Sequence, residues 1–170
     1  MNDAEWLARL RSKDAIQGVI QDLARGTDRL DAELIRSCYH ADAFDDHGAF
    51  RGTGEAFAAW VCEVLPHFAA TTHFVAPPRI DLQGERAFCE TPCVAHHVSA
   101  PDASGLSTDL VLGLRYVDRF ERRDGEWKIA RRTCAYDWTH TVCTPAERLY
   151  PYTEEYVRGR RDRHDVSYDR

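Results

Sequence analysis

The sequence predicts an α+β domain in which a curved antiparallel sheet wraps around N-terminal helices, making a cone. Two observations set that class. Apolar residues recur at helical spacing up to Phe68 and then at alternate positions through the stretch ending at Thr141. Turn signals separate the alternating runs at Gln83-Gly84, Pro101–Gly105 and Asp124-Gly125. Helices followed by a meander of strands place the helices on one side of a sheet. A third observation bends the sheet. Pro77-Pro78 and Pro92 fall inside strand patterns, where a residue without an N–H marks a bend, a bulge or an edge.

The first helix is expected from Asp14 to about Asp28, capped by Ser12, with Ile16, Val19, Ile20, Leu23 and Ala24 on its buried face. A second runs from Asp31, its cap, to about Tyr39. AFDDHGAFRG reads as a short strand and turn ending at Gly52. A third helix spans Thr53 to about Phe68, with Phe57, Trp60, Val61, Val64 and Leu65 inward. Four long strands follow in TTHFVAPPRIDL, ERAFCETPCVAHHV, STDLVLGLRYVDRFER and EWKIARRTCAYDWTHT. Residues 1–143 form the cone, and 144–170 form an extension. In it Arg148–Arg158 is expected as a short helix and the last ten residues as mobile.

Composition narrows the function. The 170 residues suffice for one core, and a net charge of −6 argues against nucleic acid as the partner. No apolar run reaches about 18 residues, and the charged N-terminus lacks a signal-peptide core, so a cytoplasmic protein is expected. The six cysteines lie within expected helices and strands, which suits free thiols.

Three residues stand out chemically. Asp28 continues the face of Ile16, Ile20 and Ala24 at intervals of four, pointing a carboxylate toward the sheet or, after Gly26, turning it outward. His73 lies in the first long strand. One of Arg131 and Arg132 must face inward, and alternation alone leaves the choice open. An aspartate that orients a histidine lets the imidazole abstract a proton, while an arginine stabilises the resulting anion. Such an elimination or isomerisation needs no metal or cofactor. Two other clusters are weighed and set aside. Cys89 and Cys93, with His96 and His97 nearby, would lie about 13 Å apart on a regular strand, too far for one zinc. Asp45-Asp46-His47 reads as a turn cluster on the rim, with at most Asp45 and His47 on one side.

The stretches DAIQGVIQDLARGTDRLD, CYHADAFDDHGAFRG, FAATTHF and GLRYVDRFERRDGEWKIARRT, in this order, resemble the SnoaL-like branch of the nuclear transport factor 2-like superfamily. That branch includes hexachlorocyclohexane dehydrochlorinase, scytalone dehydratase and bile-acid 7α-dehydratase. The resemblance implies a dyad of Asp28 and His73, with Arg132 as the cavity cation. It also implies a lyase of the dehydratase or dehydrohalogenase type, acting on a small, cyclic, hydrophobic substrate. An isomerase or polyketide cyclase with the same dyad, a ligand carrier, or an oligomerisation module are the alternatives. Tyr39, Phe44, Phe57, Trp60, Phe74, Tyr116, Tyr136 and Trp138 are the expected substrate contacts. A homo-oligomer, trimer before dimer, is expected, with the extension helping to hold it.

Overall fold

The computed structural model describes residues 2–149 and 153–169. Helix α1 spans Asp3–Arg29 and begins well before Asp14. Its cap is Asn2 rather than Ser12: the Asn2 side chain accepts the Glu5 N–H at 2.9 Å, and the Glu5 carboxylate accepts the Asn2 N–H at 3.0 Å. The early turns project Trp6, Leu7 and Leu10 into solvent, so no buried stripe announces them. Further along, Ile16, Ile20, Leu23 and Thr27 are buried. Gly26 is a packing residue, not a terminator, since a Cβ there would approach Ile35 to 3.0 Å.

Helix α2 (Ala32–Ser37) is capped by Asp31, whose carboxylate accepts the Leu34 N–H. It stops short of Tyr39, which opens strand β1 (Tyr39–Asp46). After the short β2 (Arg51–Thr53), helix α3 (Gly54–Val64) starts on Thr53, whose hydroxyl caps the Ala56 N–H. A 3-10 turn at Leu65–His67 then ends the helical part, and Phe68 begins β3 (Phe68–Val75).

The expected first long strand is two strands, β3 and β4 (Arg79–Gln83), broken at Ala76–Pro78. Both pair with β5 (Arg86–Ser99), on different halves of its length. Next come β6 (Leu106–Arg123) and β7 (Glu126–Pro145). Their hairpin turns through Asp124 and Gly125, both at positive φ. The sheet order is β2-β1-β7-β6-β5-β3, with β4 also on β5. It is mixed rather than wholly antiparallel, because β1 runs parallel to β7. The curved sheet does not close, and α1 and α3 cover its concave face. This is an α+β cone. The core beneath joins Ile16, Ile20, Leu23 and Ile35 of the helices to Phe120, Trp127 and Ile129 of the sheet.

Two irregularities in β7 aim the side chains. Ile129 faces Phe120 and Arg131 faces Arg119, so Ala130 is an extra residue. Asp137 is another, between Tyr136 and Trp138. Each bulge shifts the inward set by one.

The chain end differs from expectation. Helix α4 covers only Ala146–Leu149, residues 150–152 of the expected helix lie outside the described part, and from Thr153 the chain is irregular until a 3-10 turn at Val166–Tyr168. Residues 160–169 are largely exposed but tied to the domain by polar contacts. Buried Asp165 accepts the N–H groups of Arg160 and Ser167 and lies 3.7 Å from Arg29. The Arg161 guanidinium donates to the carbonyls of Asp28 (3.2 Å), Leu65 (3.0 Å) and Phe68 (3.0 Å) and to the Thr71 hydroxyl (3.3 Å). A polar tail with few apolar residues gives no periodic signal, so these hydrogen bonds are invisible in composition.

Candidate functional site

Between α1, α3 and the concave face of the sheet lies a cavity of about 310 Å³. Its walls are mainly apolar: Ile20 and Leu23 from α1, Phe57 and Trp60 from α3, Leu112 and Leu114 from β6. The polar groups that break this lining are few, which is how a small-molecule site orients its ligand.

His73 is one of them. Its Nδ1 lies 2.8 Å from Asp28 Oδ1, and its backbone N–H donates to Asp28 Oδ2, also at 2.8 Å. Asp28 stands in the last turn of α1, turned inward to the sheet, and the side chains of both residues are largely buried. Burial by itself would raise the Asp28 carboxyl. The hydrogen bonds and charge of His73, with the Thr71 hydroxyl, outweigh burial and hold it below the usual carboxylate range.

Arg132 also lines the cavity, and Arg131 does not. Counting inward positions from Trp127 and Ile129 would select Arg131; the bulge at Ala130 shifts the set to Arg132, Cys134 and Tyr136. Arg131 instead lies outside, over the Phe44 ring. Arg132 is not a free cation. It makes a two-pronged pair with Asp118, at 2.8 and 2.7 Å, and lies 4.0 Å from the centre of the Tyr116 ring. Burial works against the guanidinium charge, but Asp118 more than offsets it and keeps Arg132 protonated. Asp118 was absent from the expected site, although alternation through Tyr116, Asp118 and Phe120 places it inward; the bulge at Ala130 then sets it directly across from Arg132.

Of the expected substrate contacts, Phe57, Trp60, Tyr116 and Tyr136 line the cavity. Tyr39 is buried behind it, its hydroxyl donating to Asp45 at 2.6 Å. Phe44, Phe74 and Trp138 are corrections. Phe44 and Phe74 fall on the outward parity of β1 and β3, beside inward Asp45 and His73. Trp138 follows the Asp137 bulge and covers Gly113 on the convex face.

Two histidines enter the cavity wall unexpectedly. His97 meets the His73 ring edge-on at 5.5 Å, and its Nδ1 is buried with no partner among the described residues. Burial, then the neighbouring His73, push its pKa down to about 4. His47 is not a rim residue. Its ring lines the cavity, stacks on Phe57 with centroids 4.4 Å apart, and hydrogen-bonds through Nδ1 to Asp45, which is fully buried. Asp45 and His47 do share a side, and the parallel pairing of β1 with β7 makes it the inner one.

All six cysteines are free. Burial pushes the Cys93 thiol up to about 11, which suits core packing and not nucleophilic attack. Among the described residues, no group of three or more His, Cys, Asp or Glu could hold a metal, and no helix is long and apolar enough to cross a membrane.

The chain was compared with known proteins. A search of curated proteins finds no match. Among solved structures, it is similar to a hexachlorocyclohexane dehydrochlorinase from Novosphingobium barchaimii (21% identity, 80% of this chain and 93% of that one, TM-score 0.69). A protein named for scytalone dehydratase from Novosphingobium aromaticivorans also matches (21% identity, 78% and 88%, TM-score 0.68). So does a nuclear transport factor 2-like protein from Salmonella enterica (16% identity, 74% and 91%, TM-score 0.64). Likeness at these identities establishes the fold. The family model of the SnoaL-like domain matches residues 8–133, most of the chain, and the protein therefore belongs to the SnoaL-like family.

Proposed function

We propose that this chain is a cofactor-independent lyase that removes a small leaving group from a cyclic, largely apolar molecule. The observation that carries the reading is the His73–Asp28 pair set in a mainly apolar cavity. With Nδ1 committed to Asp28, His73 presents Nε2 as the base, and the aspartate balances the imidazolium that forms. Arg132 spends Nε and Nη2 on Asp118, which leaves Nη1 to steady an oxyanion on the substrate. Similarity to a dehydrochlorinase and to a protein named for a dehydratase supports elimination as the reaction class. We also propose a homotrimer, on the strength of exposed Phe74, Phe88 and Trp138 on the convex face; a monomer in sedimentation velocity would overturn it.

The test is turnover of cyclic β-substituted ketones of one to three rings, followed by enone absorbance. His73→Gln is expected to lose about 100-fold or more in kcat/KM, and Asp28→Asn about tenfold or more while still binding substrate. Elimination that survives in His73→Gln would overturn the reading. A wild type that binds these molecules and turns none over would identify a carrier instead.

A further inference from the structure

The dyad joins two elements that no ladder ties together. Asp28 stands in the last turn of α1, and His73 lies on β3, which ends the sheet order with β5 as its ladder partner. Both Asp28 oxygens are used on His73, one at Nδ1 and one at the backbone N–H. The pair therefore keeps its geometry only while the helix end and the strand keep their spacing.

The chain end bridges that spacing. The Arg161 guanidinium donates through all three of its nitrogens. Nε reaches the Asp28 carbonyl, one of those that a helix end leaves open. Nη1 reaches the carbonyls of Leu65 and Phe68, and Nη2 the Thr71 hydroxyl. Phe68 and Thr71 belong to the strand that carries His73. A guanidinium can only donate, so the buried Thr71 oxygen accepts from it. The hydroxyl hydrogen is then left for the Asp28 carboxylate, whose pKa it helps to lower.

Arg161 is itself held in place. Asp165 accepts the backbone N–H groups of Arg160 and Ser167 and lies 3.7 Å from Arg29. The Ser167 hydroxyl accepts from Arg25 at 3.2 Å, and Arg163 pairs with Asp31 at 3.1 Å. These contacts fasten the loop around Arg161 to the last two turns of α1 and to the cap of α2. Arg161 thus reaches the dyad from behind the cavity wall.

We propose that Arg161 is a positioning residue for the proton-abstracting base: by spanning α1 and β3 it keeps Asp28 on His73 Nδ1 and so keeps Nε2 open to take a proton. The role rests on the lyase reading, but the geometry it sets is measurable without a substrate. A neutral imidazole carries one N–H, and the hydrogen bond at one nitrogen decides which nitrogen holds it. A carboxylate fixed at Nδ1 keeps the proton there. A carboxylate that drifts lets it move to Nε2, and the base is lost. His96 supplies an internal control. It lies between cavity-lining Ala95 and His97, so it points to the other face, and its Nδ1 meets Asp109 at the same 2.8 Å.

The experiment records long-range 1H–15N NMR spectra of the full chain with labelled histidine at about pH 9, where imidazoles are neutral. In Arg161→Gln the His73 signals are expected to shift toward the Nε2–H form while those of His96 stay as in the wild type. Turnover of the cyclic ketones should fall about tenfold in kcat with KM within about threefold, since no wall residue changes. Arg161→Lys keeps the charge, but one nitrogen cannot span both elements, so the same His73 shift is expected there. That variant also gives the answer if Arg161→Gln does not fold. A wild-type His73 tautomer in Arg161→Lys overturns the assignment. So does a shift shared by His96, which would mark general loosening. A wild type that turns nothing over overturns the lyase reading and leaves the assignment to the tautomer result.

Discussion

Removing the Asp118 carboxylate should destabilise this protein more than most single changes would. Asp118 and Arg132 are each no more than 3% exposed, and two short hydrogen bonds join them across β6 and β7. In Asp118→Ala the guanidinium stays charged, stays buried and loses both acceptors, while the Tyr116 ring stays beside it. Breaking one side of such a pair costs about 3–5 kcal/mol. For a chain of this length that corresponds to a fall in Tm of roughly 6–20 °C. Replacing both partners by apolar residues of similar volume, Asp118→Leu with Arg132→Met, should land within about 1.5 kcal/mol of the wild type, since no orphaned charge remains. Urea unfolding of Asp118→Leu, Arg132→Met and the double variant closes the cycle, with Asp118→Ala measured beside them. A cost below about 1 kcal/mol for Asp118→Ala would refute the reasoning, as would a double variant as unstable as the sum of the singles.

Two further outcomes are expected. His97 has its pKa pushed down to about 4 in the folded chain, against an ordinary value near 6.5, so on acidification the unfolded chain takes the proton first. Stability is therefore full above about pH 6.5 and falls by roughly 3 kcal/mol as the pH drops toward 4. His97→Leu should flatten that part of a stability–pH curve, and an unchanged slope would count against the burial of His97 as its cause. Gly54 is the other position. A Cβ there would come within 2.4 Å of the Tyr39 ring, which is core, so Gly54→Ala should cost about 1–3 kcal/mol. It should also disturb the Tyr39–Asp45–His47 chain, visible as a changed imidazole resonance of His47 by NMR.

What could be read from the chain was whatever local pattern decides. Period 3.6 located the helices, period 2 the strands, and a spacing of four put Asp28 on the face of Ile20 and Ala24, where the structure sets its carboxylate against His73. Long-range pairing decided the rest. Alternation told that Asp45 and His47 share a side, but which side is inner depends on β1 lying parallel to β7, far off in sequence. The choice of Arg132 over Arg131 turns on one extra residue, Ala130, in a strand whose composition does not mark it. Asp118 was only half within reach: alternation with Tyr116 and Phe120 turns it inward, but a register counted back from the Asp124-Gly125 turn sets it opposite Arg131, and the same bulge moves it to Arg132. Asn2 escaped because the first turns of α1 bury nothing, and the tail because its anchors are single polar side chains.

Arg161 changes what counts as the unit of this fold. The matched domain ends at residue 133, yet the carbonyls of Asp28, Leu65 and Phe68 are satisfied from far beyond it. Those oxygens belong to the end of α1, the 3-10 turn and the start of β3, the three segments whose mutual spacing fixes where Asp28 and His73 stand. The tail thus acts as a splint across a joint, bearing on the gap between His73 and Asp28 from outside the cavity wall. A boundary drawn where the family pattern stops would saw through that splint while leaving every wall residue up to Arg132 in place.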